Sequence, residues 1–117
     1  MNFDEAITAH SAWKMKLSNY LRKPDGSLKV ADIEVDNKCA LGQWIYGDGA
    51  KHNGIPEYES LKAEHAKFHK AAAEVVKKAD SGQSVTEDIA IGAKSPFAAA
   101  SSAVISAIMA IKRKVGV

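Results

Sequence analysis

The chain has 117 residues, 46% of them apolar and 26% charged, and its 16 Lys and Arg against 14 Asp and Glu give a net charge of +2. This length and composition are typical of one globular domain over residues 1–117, and the charge is too small for a nucleic-acid-binding protein. The single cysteine excludes an intrachain disulfide, no run of about 18 apolar residues could span a membrane, and the acidic start lacks the features of a signal peptide, so a cytoplasmic location is expected.

The first predicted element is a helix from about residue 4 to residue 22. Apolar and aromatic side chains recur in it at spacings of three and four residues, together with one histidine, which is typical of a buried helix face. The residues of this face are Phe3, Ile7, His10, Trp13, Leu17, Tyr20 and Leu21. Pro24 and Gly26 end the helix, and residues 24–36 are predicted to form a connecting segment with a short helical turn.

A second helix is predicted from about residue 37 to residue 46, with Asp36 as its N-cap. Its buried side is formed by Leu41, Trp44 and Ile45. Cys39 then lies in the first turn, where the positive end of the helix dipole is expected to lower the pKa of the thiol. The glycines at positions 47, 49 and 54 predict a loop after this helix.

The third helix is the clearest in the sequence. It begins at Pro56, because the backbone N–H groups of a first helical turn have no partner within the helix and proline lacks this group. It ends at residues 80–82. Its buried face is predicted to consist of Tyr58, Leu61, His65, Phe68, His69, Ala72, Val75, Val76 and Ala79. The opposite face carries glutamate and lysine, so this helix is amphipathic along its whole length.

Two further helices complete the chain. Ser84 and Glu87 are spaced as a capping box for a short helix to about Ile91, and residues 95–96 (Ser-Pro) begin a last helix that runs to about Lys114. No repeat or linker divides the sequence. The elements together predict an all-α protein: an antiparallel, up-and-down four-helix bundle with a short extra helical segment.

Three of the four histidines lie on predicted buried faces. His65 and His69 are four residues apart, so both rings leave one face of the third helix at the spacing that lets two imidazoles bind one metal ion. Ala66 replaces the catalytic glutamate of the zinc-protease motif, which excludes that class of enzyme. Adding His10 and Cys39 gives four ligands, enough for a closed tetrahedral zinc site with bonds of about 2.0–2.1 Å to nitrogen and about 2.3 Å to sulfur.

The same residues also have a purely structural explanation. A single histidine on an apolar face is more often part of the core than a ligand, and a lone cysteine often serves as a small buried apolar residue. Three inward imidazoles, however, carry polar nitrogens into a small core at about 1–3 kcal/mol for each unsatisfied group, and a metal removes that cost for one nitrogen of each ring. Spacing alone does not decide between the two explanations.

Three segments resemble the chemoreceptor zinc-binding domain (CZB) family of bacterial signalling proteins. They are residues 10–13 (HSAW), residues 39–49 (CALGQWIYGDG) and residues 65–69 (HAKFH). The resemblance extends from about residue 4 to about residue 112 and implies a helical bundle that holds one Zn²⁺. The ligands that it implies are His10, Cys39, His65 and His69. His52 matches no ligand position, and we expect it to be solvated in the loop.

The resemblance also implies a role for Gly42, which is expected to allow close approach of a neighbouring helix, and a setting for the domain. Asp36 is a candidate acceptor for an imidazole N–H only because it lies close to Cys39 in the sequence. Family members usually lie beside an output module such as a chemoreceptor signalling hairpin or a diguanylate cyclase, and none is recognised in the 117 residues. We expect a stand-alone member, with an excised domain as the alternative, that pairs as a homodimer or acts on a separate signalling protein of either type.

The function implied by the resemblance is sensory, and no catalytic site is expected. The domain would respond to the zinc level or to oxidation of Cys39 by oxidants such as hypochlorous acid. Four protein ligands leave no open coordination position, so activation of water is not expected. Two alternatives stay open on the sequence alone: an adaptor that zinc merely stabilises, and an iron-containing redox protein, although the chain lacks the paired Glu-x-x-His pattern of ferritin-like bundles.

Overall fold

The computed structural model describes residues 2–23, 25–81, 91–92 and 95–115, and these residues form helices and connecting turns with no strand. The predicted all-α class is therefore confirmed. The elements are α1 (Phe3–Ser11), α2 (Trp13–Arg22), α3 (Val30–Ile33), α4 (Ala40–Tyr46), a 3-10 helix (Asp48–His52), α5 (Pro56–Asp80) and α6 (Pro96–Val115).

The first predicted helix consists of two consecutive segments, α1 and α2, which meet at Ala12. This residue keeps right-handed helical angles (φ −69°, ψ −18°), so the chain passes from one segment to the next without reversing. The side chain of Asn2 accepts the backbone N–H of Glu5 at 3.1 Å and caps the start of α1. The helical turn predicted between residues 24 and 36 is present as α3.

The second predicted helix begins later than the sequence indicated, because Cys39 rather than Asp36 is the N-cap of α4. Cys39 has extended backbone angles, and its Sγ accepts the backbone N–H of Gly42 at 3.4 Å. The Asp36 carboxylate instead accepts the hydroxyl of Tyr46 at 2.6 Å. The loop predicted after α4 contains a 3-10 helix, which ends at His52.

The two long helices agree with their predicted bounds. All nine residues of the predicted face of α5 are buried, and this helix ends at Asp80 with Ser81 as its C-cap. Ser95 caps α6, since its Oγ accepts the backbone N–H of Ala98 at 3.1 Å. The short helix predicted from Ser84 to about Ile91 lies outside the described residues, except for Ile91 itself, which is buried.

Helix α5 is the centre of the packing, in contact with α2, α3 and α6. The Tyr20 hydroxyl donates to Asp80 at 2.6 Å, which places the ends of α2 and α5 together. Lys112, near the end of α6, pairs with Asp4, at the start of α1, also at 2.6 Å. The helix directions that these two contacts indicate are compatible with an up-and-down order. Because α4 has only seven residues, the antiparallel four-helix bundle stays a prediction. None of the helices described is long and apolar enough to cross a membrane.

Candidate metal centre

Four side chains from three parts of the chain converge on one point. They are the four that the sequence analysis selected: His10, Cys39, His65 and His69. The Nε2 atom of His65 lies 3.1 Å from that of His10, 3.0 Å from that of His69 and 3.2 Å from the Cys39 Sγ. The four ligand-type atoms all lie within 4.8 Å of one another.

Each side chain owes its position to a different local feature. His10 lies on the buried face of α1, and Cys39 is held at the start of α4 by its role as N-cap. His65 and His69 come from successive turns of α5, with ring centroids 4.5 Å apart. The three imidazoles are at most 4% exposed, whereas Cys39 is half-buried, so Cys39 is the residue of the cluster with the most contact with solvent.

Backbone carbonyl groups orient two of the three rings. The Nδ1 of His10 lies 2.8 Å from the carbonyl oxygen of Ala6, and the Nδ1 of His69 lies 2.9 Å from that of Ile33. A carbonyl oxygen can only accept, so Nδ1 carries the proton in both rings. Nε2 of each neutral ring therefore presents its lone pair to the cluster, which is the orientation that a metal-binding imidazole needs.

The electrostatic surroundings keep the imidazoles neutral. Burial, together with the adjacent His69 and His10, lowers the pKa of His65 to about 3. Burial also lowers the pKa values of His10 and His69, although the carbonyl groups of Ala6 and Ile33 act in the opposite direction. Neutral imidazole is the form that binds metals, so the cluster holds its histidines in the ligand state.

The cluster has more lone pairs than protons to place between them. In either tautomer of His65, its Nδ1 is buried and has no hydrogen-bond partner among the described residues. If the proton is on Nε2, that single N–H faces both the His10 and His69 nitrogens; if it is on Nδ1, three Nε2 lone pairs face one another. A cation among the four atoms removes the conflict between the Nε2 atoms, because it accepts every one of these lone pairs. The donor set therefore fits a metal ion.

The spacing of the atoms fits a tetrahedral ion as well. Zn–N bonds of about 2.0–2.1 Å place neighbouring ligand nitrogens about 3.3 Å apart in a regular tetrahedron. The nitrogen–nitrogen distances of 3.0 and 3.1 Å and the sulfur–nitrogen distances of 3.2 and 3.6 Å lie close to that scale. The two remaining pairs, which join His10 to His69 and to Cys39, lie within 4.8 Å, so the four atoms can take up an ion of this size once His10 moves closer to the other two.

Burial raises the pKa of the Cys39 thiol, so the lowered pKa predicted from the helix dipole is wrong for the protein without a metal. The backbone N–H groups of Gly42 and Leu41 favour the thiolate, but removal of the thiol from water is the larger effect. A bound cation reverses this balance, since a coordinating thiol is deprotonated.

His52 lies outside the cluster, as expected, but it is not fully solvated. It is half-buried in the 3-10 helix, where its ring centroid is 5.9 Å from that of Trp44. Trp44 in turn packs edge to face on Phe3 at 5.1 Å. These contacts make His52 part of the packing around α4. Because it is a half-buried histidine outside the cluster, it is a suitable control for the three histidines inside it.

The sequence analysis missed the groups that orient the rings. Asp36 was a candidate acceptor for an imidazole N–H, and this is wrong because its carboxylate accepts from Tyr46. The acceptors are the carbonyl groups of Ala6 and Ile33. The first could have been found, since it lies four residues before His10 on one helix. The second could not, because Ile33 is 36 residues from His69 and only the fold brings the two together.

A helical structure over the described residues, with three buried histidines and a half-buried cysteine that converge on one point, is typical of the class of small metal-binding helical domains. The profile of the chemoreceptor zinc-binding domain family matches residues 10–76, which include all four residues of the cluster. The chain belongs to this family of zinc-binding signalling domains. Comparisons with curated proteins and with solved structures find no match.

Proposed function

We propose that the chain, as one domain over residues 1–117, binds a single Zn²⁺ through His10, Cys39, His65 and His69 and acts as a bacterial, cytoplasmic sensor. The observation that supports it best is the convergence of three imidazole nitrogens and one sulfur around a point where lone pairs outnumber protons. Three nitrogens and one thiolate suit zinc better than the oxygen-preferring cations. The domain is non-enzymatic on this proposal, since four protein ligands leave no position for a water molecule.

A bound zinc ion supplies a crosslink between α1, the start of α4 and α5. The residues of the chain convert that crosslink into a signal. Cys39 serves both as the sulfur donor of the cluster and as the N-cap of α4, so any change at its Sγ reaches the position of this helix. His69 connects the cluster to α3 through its hydrogen bond with the carbonyl group of Ile33. These two links make α3 and α4 the elements that respond to occupancy.

The input we propose is a change in the zinc level or oxidation of Cys39, with hypochlorous acid as a typical oxidant. Oxidation to a sulfenic acid takes the thiolate away from the cluster and weakens the N-cap. Cys39 suits this role because it is the half-buried member of the cluster. The changed packing of α3 and α4 would be detected by the other subunit of a homodimer or by a separate chemoreceptor or diguanylate cyclase.

Metal content tests the proposed ligands. Wild-type protein is expected to contain about one zinc per chain, and His65→Ala and Cys39→Ser are expected to lose most of it. Serine is a favourable N-cap, so Cys39→Ser removes the sulfur while it preserves the start of α4. His52→Ala is the matched control and should keep its zinc. Elemental analysis of the purified proteins measures all four, and full zinc content in either of the first two variants removes that residue from the ligand set. An iron-loaded wild type would favour the redox alternative.

Oxidant treatment tests the proposed input. Addition of about one equivalent of hypochlorous acid is expected to release zinc from the wild type, and a thiol reductant should restore binding because a sulfenic acid is reversible. Met15 and Met109 are 66% and 45% exposed, so both side chains would consume oxidant. The double variant Met15→Leu, Met109→Leu is therefore the control for oxidation at methionine. A chromogenic chelator reports the zinc, and circular dichroism reports the helices. Zinc release without any change in helix content or association would instead support a passive adaptor.

A further inference from the structure

Between the start of α1 and the start of α4, the surface opens into a cleft of about 290 Å³. The residues on its inner side include His10 and Leu41, which are buried, and Cys39, which is half-buried. The cleft therefore borders two of the four residues of the candidate metal centre, His10 and Cys39. A space of this volume lies at the lower end of the range for small-molecule pockets and is too small for a folded protein segment.

The rim of the cleft is formed by exposed residues, and Glu5 is the charged one among them. The others are Asn2, Ala9 and Ala40. The Asn2 side chain accepts the Glu5 backbone N–H and so fixes the turn that carries this carboxylate. The neighbouring Asp4 pairs with Lys112, whereas no cation among the described residues forms an ion pair with Glu5. The rim thus carries a negative charge that no described residue neutralises.

Building on the proposed function, we propose that this cleft is the route by which small uncharged electrophiles reach the Cys39 sulfur, and that Glu5 disfavours anions at its rim. An anion that enters loses water, meets a carboxylate and finds alanine side chains instead of a cation. Neutral hypochlorous acid fits both the volume of the cleft and the charge of its rim. A negatively charged disulfide is disfavoured by that charge.

The chemistry at the sulfur is a two-electron oxidation that balances with this oxidant alone and water. The Cys39 thiolate attacks the chlorine of hypochlorous acid, the O–Cl bond breaks, and hydroxide leaves. Water then displaces chloride from the sulfur and gives the sulfenic acid and a proton. The net reaction converts thiolate and hypochlorous acid into sulfenic acid and chloride, with sulfur oxidised and chlorine reduced.

Alkylation of the 117-residue protein as purified tests the route with a matched pair of probes. Iodoacetamide is neutral, and iodoacetate is an anion of nearly the same size. Both reagents alkylate the Cys39 sulfur: an S–C bond forms, and iodide leaves with the electrons of the C–I bond. Ala9→Phe and Ala40→Leu fill the cleft from opposite sides and should slow both reagents on the order of ten-fold, since thiol reactivity depends on access. Ala99→Phe, at an exposed position of α6, is the control and should react like the wild type.

Substitution of the rim carboxylate tests the selection by charge. Glu5→Gln is expected to raise the ratio of the iodoacetate rate to the iodoacetamide rate about three-fold, the effect of one charge several ångströms away in partly solvated surroundings. Glu74→Gln, which removes an equal charge from an exposed position of α5, should leave the ratio unchanged. Intact-mass spectrometry over time measures both rates at the single cysteine.

Either experiment can overturn the inference. Folded variants that fill the cleft but alkylate at the wild-type rate would show that Cys39 is reached by another path. An unchanged ratio of the iodoacetate rate to the iodoacetamide rate in Glu5→Gln would show that the carboxylate does not select against anions. This variant tests the selection by charge even if the larger substitutions prevent folding. Metal analysis of the same samples keeps the two proposals distinct: a wild type without zinc contradicts the proposed function, whereas the cleft is judged by relative alkylation rates.

Discussion

Removal of the metal by a chelator is expected to lower the midpoint of thermal unfolding of the wild type by about 15 °C. The proposed ligands come from α1, the N-cap of α4 and α5, so they are brought together only in the folded chain. Binding to the folded state alone stabilises it by about 4 kcal/mol when free zinc is a thousand-fold above the Kd. That is a large part of the total stability of about 5–15 kcal/mol that a domain of this size has.

The same experiment on His65→Ala separates the metal from ordinary packing. This side chain is fully buried, so its loss destabilises the core even without zinc. The informative quantity is the response to the chelator: the midpoint of His65→Ala should no longer move, whereas that of His52→Ala should fall as far as in the wild type. Differential scanning calorimetry with and without chelator gives these differences. An equal response of His65→Ala and wild type would show that the metal acts elsewhere.

Periodicity made the long helices predictable. In α5 the apolar and histidine positions repeat at helical spacing over 25 residues, and each residue of the predicted face is buried. The pairing of His65 with His69 followed directly, since residues four apart share a face. The convergence of His10 on the same point could be suspected from its place on a second buried face, but the spacing did not decide it.

The parts that could not be predicted depend on contacts between segments distant in sequence. Local preference favoured Asp36 as the cap of α4, since aspartate is a common N-cap, whereas the fold gives that role to Cys39 and pairs Asp36 with Tyr46. The raised pKa of the Cys39 thiol follows from its burial, which a dipole argument on one helix does not contain. The carbonyl group of Ile33 reaches His69 only because α3 packs on α5.

The close approach predicted at Gly42 is present, but the neighbour is not a helix. A β-carbon at this position would lie 1.7 Å from the carbonyl oxygen of Asp36 and 3.0 Å from the Cα of Asn37. Both are backbone atoms of the segment that leads into Cys39. No rotation of a flexible side chain can relieve the overlap, so the segment itself would have to move.

Gly42→Ala is therefore expected to lower the free energy of unfolding by about 3 kcal/mol or more, at the upper end of the range for overpacking. It should also weaken zinc binding, because the displaced segment leads into Cys39, the proposed sulfur ligand, whose Sγ accepts the Gly42 N–H. Gly54→Ala is the matched control: its φ of +96° strains an alanine by about 1–2 kcal/mol, but nothing lies within 4 Å of the new β-carbon. Urea unfolding and a zinc competition assay measure both effects. A Gly42→Ala protein as stable as the wild type would contradict the close backbone contact at this position. A Gly42→Ala protein that loses stability but binds zinc as tightly as Gly54→Ala would show that the position of Cys39 does not depend on this contact.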